Sequence, residues 1–237
     1  MNYPILLLDI DGTLIDFFKS YHSAAKKVLE FANCPVTEEN LNIYLECNDN
    51  AWENLDCDNV DRQYIRENYH RLYSQYIADA AKEAHNRLNL KPTIEELGDH
   101  YIYEWGRCAT ASPNAVEICR KLSRSHTLCI ASNGLTGLQM SKLTEFKPYI
   151  NHYFISEDIN HIKPEKEYFD FILKTLNCNP SDCIMVGDSL RNDIRGAKEA
   201  GIATCYFNPL NTTNNTGIIP DYEIRDFSEL LKIVENF

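Results

Sequence analysis

The sequence predicts an α/β fold in which a parallel β-sheet carries an inserted all-helical module. From residue 112 onward, short apolar runs of strand length alternate with helix-like segments, a pattern typical of parallel sheets with right-handed crossovers. Residues 17–107, which follow the first apolar run, have helical periodicity and almost no strand-like run. We therefore expect a core made of residues 1–15 and 108–237, and a helical domain made of residues 16–107.

The composition is that of a globular protein and excludes two classes of partner. The chain has 237 residues, of which 44% are hydrophobic, and its net charge is -12. It has no run rich in lysine and arginine, so no nucleic acid polymer is expected as a partner. No apolar run reaches the roughly 18 residues that cross a membrane, so no membrane span is expected. A small anionic substrate stays compatible with the acidic balance, because backbone N–H groups, a few local cations or a metal can hold it.

The cysteines indicate the compartment. Nine of them are scattered along the chain without a C-x-x-C spacing. Because their number is odd and several lie in apolar stretches, we interpret them as buried free thiols rather than as disulfides or a metal cluster. The sequence opens on a strand and lacks the charged-then-apolar pattern of a signal peptide. Together these features predict a cytoplasmic protein.

The first strand ends in two carboxylates. Residues Ile5 to Leu14 read ILLLDIDGTL, and the apolar start is typical of a strand buried on both faces of a sheet. Asp9 and Asp11 follow where the strand gives way to a loop, which is the position at which open α/β sheets bind ligands. Two close carboxylates repel each other unless a cation or a proton offsets their charge. The alternative, a solvated Asp-Gly turn, is also compatible with this stretch taken alone.

The elements after the first strand fall into two groups. Four consecutive helices are predicted over residues 19–33, 37–55, 61–84 and from 92 onward, with Thr37 as an N-cap. Many tyrosines and both tryptophans fall in these helices, and we interpret most of them as bundle packing. Strands are then predicted over residues 127–134, 153–158, 182–189, 202–208 and 222–224, the last at an edge of the sheet. The intervening helices are predicted over residues 112–125, starting with a Ser112 cap, and 135–146, 164–176, 191–201 and 228–236.

Polar residues at further strand ends and helix starts occupy the same kind of position as the two carboxylates. They are Ser132, Asn133, Lys163, Asp188 and Asp193. Because the carboxyl ends of parallel strands share one edge of the sheet, we expect a single site to collect these groups. Excess carboxylate oxygen suits a hard cation such as Mg²⁺, while a hydroxyl, loop N–H groups and an ammonium suit the oxygens of a phosphate.

This set of groups predicts phosphoryl-transfer chemistry. Asp9 is placed to attack phosphorus and form an aspartyl-phosphate. Asp11 is placed to protonate the leaving oxygen and later to deprotonate the attacking water. A Mg²⁺ ion offsets the repulsion between Asp9 and an anionic substrate, and Lys163 stabilises the charge of the transition state.

The segments DIDGT, ASNG, IKPEKEYF and GDSLRND match, in order, the four motifs of the haloacid dehalogenase superfamily. The resemblance spans the predicted core and puts the helical segment where that family has its C1 cap. It implies a Rossmann-like core with Asp9 as nucleophile and Asp11 as general acid and base. It also implies that Ser132, with Asn133 beside it, binds phosphate and that Lys163 is the motif-three lysine.

The same resemblance implies a metal site and narrows the reaction. Mg²⁺ is expected on the Asp9 carboxylate, the Asp11 main-chain carbonyl and Asp188, with Asp193 as a supporting acid. A plain charge at a helix N-terminus is the alternative for Asp193. Asp11 argues against a carbon–halogen dehalogenase, which looks to have no acid two residues after its nucleophile, so a phosphatase is expected.

Longer segments such as SNGLTGLQMSKL and MVGDSLRNDIRGAKEAGI resemble the bacterial pyrimidine 5′-nucleotidase branch of the superfamily. This resemblance implies hydrolysis of nucleoside monophosphates, and we expect a monomer or a homodimer. The open alternatives are a sugar-phosphate phosphatase, a phosphomutase, and a non-catalytic binding or regulatory protein that keeps the fold. The cap sets substrate choice in this family, so Phe17, Phe18 and Trp105 are candidates to pack against a base, with hinge or cap packing as the alternative.

Overall fold

The first apolar run forms a strand inside a six-stranded parallel sheet. The computed structural model describes residues 3–234 of the chain. The strands are β1 Ile5–Leu8, β2 Thr127–Ser132, β3 His152–Ile155, β4 Cys183–Gly187, β5 Ala203–Phe207 and β6 Tyr222–Ile224. They lie in the order β3-β2-β1-β4-β5-β6, and each neighbouring pair is parallel. The predicted edge position of the strand at residues 222–224 is therefore confirmed.

The inner strand β1 is placed by its uninterrupted apolar sequence. Leu6 and Leu7 are each 0% exposed, so both faces of the strand are covered and neither requires polar side chains. β1 pairs with both β2 and β4, and Leu8 lies opposite Ile130 and Val186. The carboxyl ends of the three strands therefore lie side by side, and the loops that follow them begin at one edge of the sheet.

Helices form the inserted segment and the connections between strands. They are α1 Phe17–Phe31, α2 Glu38–Asn54, α3 Gln63–Leu88, α4 Ile94–Arg107, α5 Ala115–Leu122, α6 Thr136–Lys142, α7 Ser156–Ile159, α8 Lys166–Leu176, α9 Gly196–Glu199 and α10 Leu230–Val234. A π-helix, Leu190–Arg195, runs directly into α9. Within residues 3–234, three short 3₁₀ helices lie at Lys147–Tyr149, Pro180–Asp182 and Phe227–Glu229.

The chain folds as two compact units. The sheet unit contains the residues up to Phe17, Thr110–Gln139 and those from Leu143 onward. The helical unit contains Phe18–Ala109 together with Met140–Lys142. The predicted fold class, an α/β sheet core with an inserted all-helical module, is confirmed. That the helical unit serves as a cap stays a prediction.

Aromatic side chains pack α2 against α3 in the helical unit. The ring of Trp52 on α2 lies 6.4, 5.6 and 5.3 Å from the rings of Tyr69, Tyr73 and Tyr76 on α3, in edge-to-face arrangements. Such arrangements are favourable because the positive edge of one ring meets the negative face of the other. Thr37 caps α2 by accepting a backbone N–H, as predicted.

Two helix predictions need correction. The helix predicted from Ser112 begins at Ala115, and its N-cap is Asn114 with φ 65°. Ser112 instead accepts the Ala115 N–H with its carbonyl, at 3.1 Å, which closes a turn before the helix. Asparagine tolerates this left-handed conformation, so the turn forms there. The helix predicted over 191–201 divides into the π-helix and α9.

Other predicted elements are present with shorter bounds. The strand predicted over 127–134 stops at Ser132, and the strand predicted over 153–158 stops at Ile155, where α7 begins. The last two residues of the helix predicted over 228–236 lie outside the described residues. The first of the two strands ends early because the chain turns into the loop that carries Asn133, and the second because α7 follows it directly.

The cysteines are thiols that are mostly buried, whereas the polar stretch after β5 lies on the surface. All nine cysteines are free thiols, and six of them are buried. The polar stretch after β5 is exposed over residues 209–217. In the described part of the chain, no helix combines the length and the apolar character required to span a membrane.

Candidate active site

The loop after β1 is a tight turn that holds Asp9 and Asp11 at the edge of the sheet. The Asp9 N–H donates to the Val186 carbonyl at 3.0 Å, which extends the pairing with β4 by one residue. Gly12 has φ +80°, and a Cβ at this position would overlap the carboxylate of Asp188. Glycine is required here for both reasons. Asp9 is 7% exposed, so its carboxylate does not lie in a solvated turn, whereas Asp11 and Gly12, the Asp-Gly pair itself, are half-buried.

A buried ammonium joins three segments of the sheet unit. Nζ of Lys163 lies 2.6 Å from Oδ1 of Asp9, 2.6 Å from Oδ1 of Asp193 and 2.8 Å from the carbonyl oxygen of Ala131. An ammonium has three N–H donors, and these three acceptors match them. Lys163 and Asp193 are 2% and 1% exposed, so water competes little with these charge-assisted hydrogen bonds. Lys163 therefore holds Asp9 in one orientation.

The carboxylates of Asp9, Asp188 and Asp193 form a cluster in which one oxygen from each lies within 4.8 Å of the others. Asp188 accepts a hydrogen bond from the Thr13 hydroxyl at 3.3 Å. Asp193 accepts one from the Ser189 N–H at 3.0 Å and is ion-paired with the buried ammonium. Asp193 is thus a buried acid within the cluster rather than a solvated charge at a helix terminus.

The cluster shifts the protonation of its members. Burial raises the pKa of Asp9 from its ordinary 3.8 to about 7, although the Lys163 ammonium lowers it, and the Asp193 charge adds to the rise. Loss of hydration and the charges of Asp9 and Asp193 raise the pKa of Asp188 well above its ordinary value. Burial lowers the pKa of Lys163, but the charges of Asp193 and Asp9 outweigh burial and raise it above 10.5. If all three were ionised, the carboxylates would carry more negative charge than one ammonium neutralises, so Asp9 and Asp188 bind a proton more readily than ordinary carboxyl groups do.

The end of β2 carries the predicted hydroxyl and amide side by side. Ser132 is 2% exposed. The Asn133 side chain and the Lys163 backbone exchange two hydrogen bonds, Nδ2 to the carbonyl at 2.9 Å and N–H to Oδ1 at 2.7 Å. This reciprocal pair ties the loop after β2 to the segment before α8. The Ser132 hydroxyl and the Lys163 ammonium therefore keep a fixed spacing.

Gln139 belongs to the site although the four superfamily motifs do not include it; it lies in the longer segment SNGLTGLQMSKL. Its Nε2 lies 2.9 Å from Oδ2 of Asp11, 2.7 Å from Oγ of Ser132 and 3.2 Å from the carbonyl oxygen of Asn133. Gln139 lies on α6, which follows the ASNG segment directly. The signal in the sequence is a polar side chain near the start of that helix, because helical side chains point back toward the N-terminus.

The aromatic candidates for base contact lie in different surroundings. Phe18 is 65% exposed. Trp105 is 4% exposed and packs within the helical unit, with its ring 6.1 Å from that of Tyr21 and 5.2 Å from that of Tyr101. These contacts support packing as the role of Trp105. A substrate contact by Phe17 or Phe18 stays a prediction.

The structure brings every sequence-predicted site residue to one edge of the sheet. One group surrounds the buried ammonium and consists of Asp9, Lys163, Asp188 and Asp193. The other is linked by the Gln139 amide and consists of Asp11, Ser132 and Asn133. Such a site offers a carboxylate nucleophile, a second carboxyl for proton transfer, and groups that bind a cation and an anion.

The chain is similar to a hydrolase family model and to named bacterial proteins over nearly its full length. A model of the haloacid dehalogenase-like hydrolase family matches residues 3–201. The protein named HAD-hydrolase YfnB of Bacillus subtilis is 28% identical over 98% of this chain and 96% of its own. Pyrimidine 5′-nucleotidase PynA of Streptococcus pneumoniae is 26% identical over 99% of this chain and 96% of its own. Pyrimidine 5′-nucleotidase YjjG of Escherichia coli is 25% identical over 99% of each chain.

Solved structures share the fold along the whole chain. The crystal structure of YfnB from Bacillus subtilis bound to magnesium matches with a TM-score of 0.78 and 26% identity, and covers 100% of both chains. L-2-haloacid dehalogenase of Xanthobacter autotrophicus matches with a TM-score of 0.74 and 15% identity, again over 100% of both chains. At that identity the second likeness concerns the fold alone.

Proposed function

The chain belongs to the haloacid dehalogenase-like hydrolase family, and from that premise we propose that it is a Mg²⁺-dependent phosphatase that acts through an aspartyl-phosphate intermediate. The prediction of a hydrolase of this family is confirmed. The observation that carries the finer proposal is the buried contact of 2.6 Å between Nζ of Lys163 and Oδ1 of Asp9, beside two further carboxylates. Burying several charged groups around one carboxylate is energetically costly, and a protein that only binds a ligand has no need of it.

The proposed reaction has two steps, formation of an aspartyl-phosphate and its hydrolysis. First, a carboxylate oxygen of Asp9 forms a bond to phosphorus while the bond between phosphorus and the ester oxygen breaks. Asp11 gives its proton to that leaving oxygen. Next, a water oxygen attacks phosphorus and passes a proton to Asp11, and phosphate leaves with Asp9 restored as a carboxylate. The Ser132 hydroxyl and the Lys163 ammonium are the proposed contacts of the phosphate oxygens.

The residues present fit a Mg²⁺ ion. Carboxylate oxygens of Asp9, Asp188 and Asp193 lie within 4.8 Å of one another, and together they outnumber the single ammonium. Mg²⁺ prefers a few carboxylate and carbonyl oxygens and keeps several waters. We propose that Asp9, Asp188 and the main-chain carbonyl of Asp11 hold it, with Asp193 supporting the site through Lys163. When bound, the ion supplies positive charge that offsets repulsion between the Asp9 carboxylate and the anionic phosphate.

We propose nucleoside monophosphates of pyrimidines as the substrate class. PynA and YjjG, both named pyrimidine 5′-nucleotidases, match this chain over 99% of its length. A relative named glyceraldehyde 3-phosphate phosphatase, from Methanothermobacter thermautotrophicus, is 29% identical over 86% of this chain and 84% of its own, which favours sugar phosphates as the second candidate class. We propose that the helical unit sets this choice as a cap. The cytoplasmic location and the monomeric or homodimeric state stay predictions.

Hydrolysis of p-nitrophenyl phosphate tests the chemistry. We expect turnover by the wild type with MgCl₂, none after EDTA, and recovery when MgCl₂ is restored. Asp9→Asn should lower kcat by about a thousandfold or more, because an amide does not attack phosphorus. Asp170→Asn is the matched control, since Asp170 is exposed and pairs with Lys166 on α8. Retained turnover in Asp9→Asn would sink the covalent mechanism.

A substrate panel tests the specificity. UMP, dUMP, dTMP, purine nucleoside monophosphates and sugar phosphates should be compared by kcat/KM through released phosphate. The proposal expects the pyrimidine nucleotides to be hydrolysed most efficiently. A preference for sugar phosphates would replace the nucleotidase with the second candidate and leave the phosphatase mechanism intact.

A further inference from the structure

We propose that Gln139 is a positioning residue that holds the proton donor Asp11 and the phosphate-binding hydroxyl of Ser132 in one arrangement. The inference rests on the proposed phosphatase function. Its physical basis is one amide nitrogen that lies within hydrogen-bond distance of both groups, at 2.9 Å from Oδ2 of Asp11 and 2.7 Å from Oγ of Ser132. Gln139 lies outside the four family motifs named above.

The orientation of the Gln139 amide follows from its neighbours. The carboxylate of Asp11 accepts hydrogen bonds, and so does the carbonyl of Asn133, 3.2 Å away. The Ser132 hydroxyl donates to the same carbonyl at 3.3 Å, so its lone pair is directed to the amide. The two protons of the amide NH₂ match the Asp11 carboxylate and the lone pair of Ser132, while the Ser132 proton goes to the Asn133 carbonyl. The amide oxygen in that place would face the Asp11 carboxylate without a proton. The nitrogen end is therefore held toward the site.

The position of Gln139 is rigid because it is packed as well as hydrogen-bonded. Its side chain is 1% exposed. Gly134 has φ +138°, and a Cβ there would lie 3.1 Å from both Cγ and Cδ of Gln139, so the glycine of the ASNG segment leaves the room that this side chain fills. The Gly134 N–H is itself fixed by the Ser156 hydroxyl at 3.0 Å. A buried amide whose N–H groups are hydrogen-bonded, and whose neighbours are held in place, suits a preorganised site.

This arrangement bears on one step of the reaction more than on the rest. Asp11 must deliver its proton as the bond between phosphorus and the ester oxygen breaks, and that transfer depends on alignment. If Gln139 holds Asp11 at a fixed spacing from the phosphate-binding Ser132, removing its amide lowers the rate of hydrolysis most for substrates whose leaving oxygen most needs a proton. A p-nitrophenolate leaving group departs with little help, whereas the more basic phenolate needs protonation.

The test compares p-nitrophenyl phosphate with phenyl phosphate, which differ little in shape. Gln139→Met keeps an unbranched side chain without the amide, and Gln139→Leu shortens it. We expect both variants to lose about tenfold more kcat/KM on phenyl phosphate than on p-nitrophenyl phosphate, with the extra loss in kcat rather than KM. Gln75→Met on α3 is the matched control, because Gln75 is exposed and bonds Asp79 at 2.9 Å, and it should change neither value.

The outcomes separate this inference from the proposed function. Equal losses on the two esters, or no loss, would overturn the positioning role. Unfolding of both variants, followed by circular dichroism and thermal melting, would overturn it in favour of a purely structural role. A wild type that hydrolyses neither ester would instead contradict the proposed phosphatase.

Discussion

The sheet unit buries a cluster of charges, whereas the helical unit buries a cluster of neutral hydroxyl and amide groups. In the sheet unit, the Lys163 ammonium sits between two carboxylates at 2.6 Å from each. In the helical unit, the Tyr76 hydroxyl lies 3.1 Å from that of Tyr101 and 3.3 Å from Oδ1 of Asn48. Burial raises the pKa of Tyr76, so its hydroxyl stays neutral.

The difference distinguishes a structural network from a chemical one. Neutral groups that satisfy one another cost little to bury once their hydrogen bonds are made. A cluster with unbalanced charge costs far more, because each ion loses its hydration and like charges repel. Proteins keep such clusters where chemistry requires them, which supports the strand ends rather than the aromatic bundle as the reactive part of the molecule.

The largest effect on stability is expected from Lys163→Met. Removing the ammonium leaves buried carboxylates without their partner, so we expect the free energy of unfolding in urea to fall by about 3–5 kcal/mol. Lys166→Met is the matched control, because its Nζ is also 2.6 Å from a carboxylate, yet the two side chains are 57% and 49% exposed. The control should unfold at the wild-type urea concentration. Equal losses in both variants would remove the contrast between buried and exposed pairs.

Metal binding should produce the next largest effect. If the acidic cluster holds Mg²⁺, saturating MgCl₂ should raise the free energy of unfolding by about 2.7 kcal/mol at one hundred times Kd. Thermal melting measures this as an increase in Tm. Asp188→Asn should abolish most of the increase, while Asp170→Asn, on the exposed surface of α8, should retain it. An increase of the same size in Asp188→Asn would place the metal elsewhere.

An effect of pH is also expected in the metal-free protein. Because burial raises the pKa of Asp9 from 3.8 to about 7, the folded state holds a proton there that the unfolded state has released. The contribution of Asp9 to stability is therefore present below 3.8 and is lost as pH rises toward 7. Asp9→Asn lacks this loss, so its Tm relative to wild type, measured with EDTA, should increase over that range. A constant difference would contradict the raised pKa.

The smallest effect is expected in the helical unit. Tyr76→Phe removes the hydroxyl that bonds Tyr101 and Asn48, and we expect a loss of about 1–2 kcal/mol in the free energy of unfolding. The kcat for p-nitrophenyl phosphate should not change. Tyr64→Phe is the control, since Tyr64 is 53% exposed and should unfold as the wild type does. A large loss of kcat in Tyr76→Phe would show that the neutral network also serves the chemistry.

The parts of the molecule that follow from chain topology could be predicted from the sequence. Apolar runs of strand length placed β1, β2 and β4, and parallel pairing forces their carboxyl ends to one edge. Ser132 is the last residue of β2, and Asp9 and Asp188 directly follow β1 and β4, so their convergence was predictable. Lys163 was predictable as a site residue from its motif, whereas its three hydrogen bonds were not.

The remaining features depend on rotation and close approach in three dimensions. Gln139 reaches Asp11 because α6 presents that face to the strand ends, and motif spacing does not set the rotation of a helix. The left-handed Asn114 replaced the predicted Ser112 cap because a local turn competed with the first turn of the helix. Gly12 is required because a Cβ at this position would overlap the carboxylate of Asp188, which is distant in sequence.

The position of β1 also determines when the site is completed during synthesis. β1 is made first, but its partners are β2, at residues 127–132, and β4, at residues 183–187. Closing these long loops is slow because it costs chain entropy before any strand contact repays it. The strand before Asp9 can therefore pair with β4 only after most of the chain has left the ribosome. The helices of residues 18–109 have their neighbours close in sequence. The surroundings of Asp9 are completed only after Lys163 and Asp193 have been made, when the helical segment has had time to form.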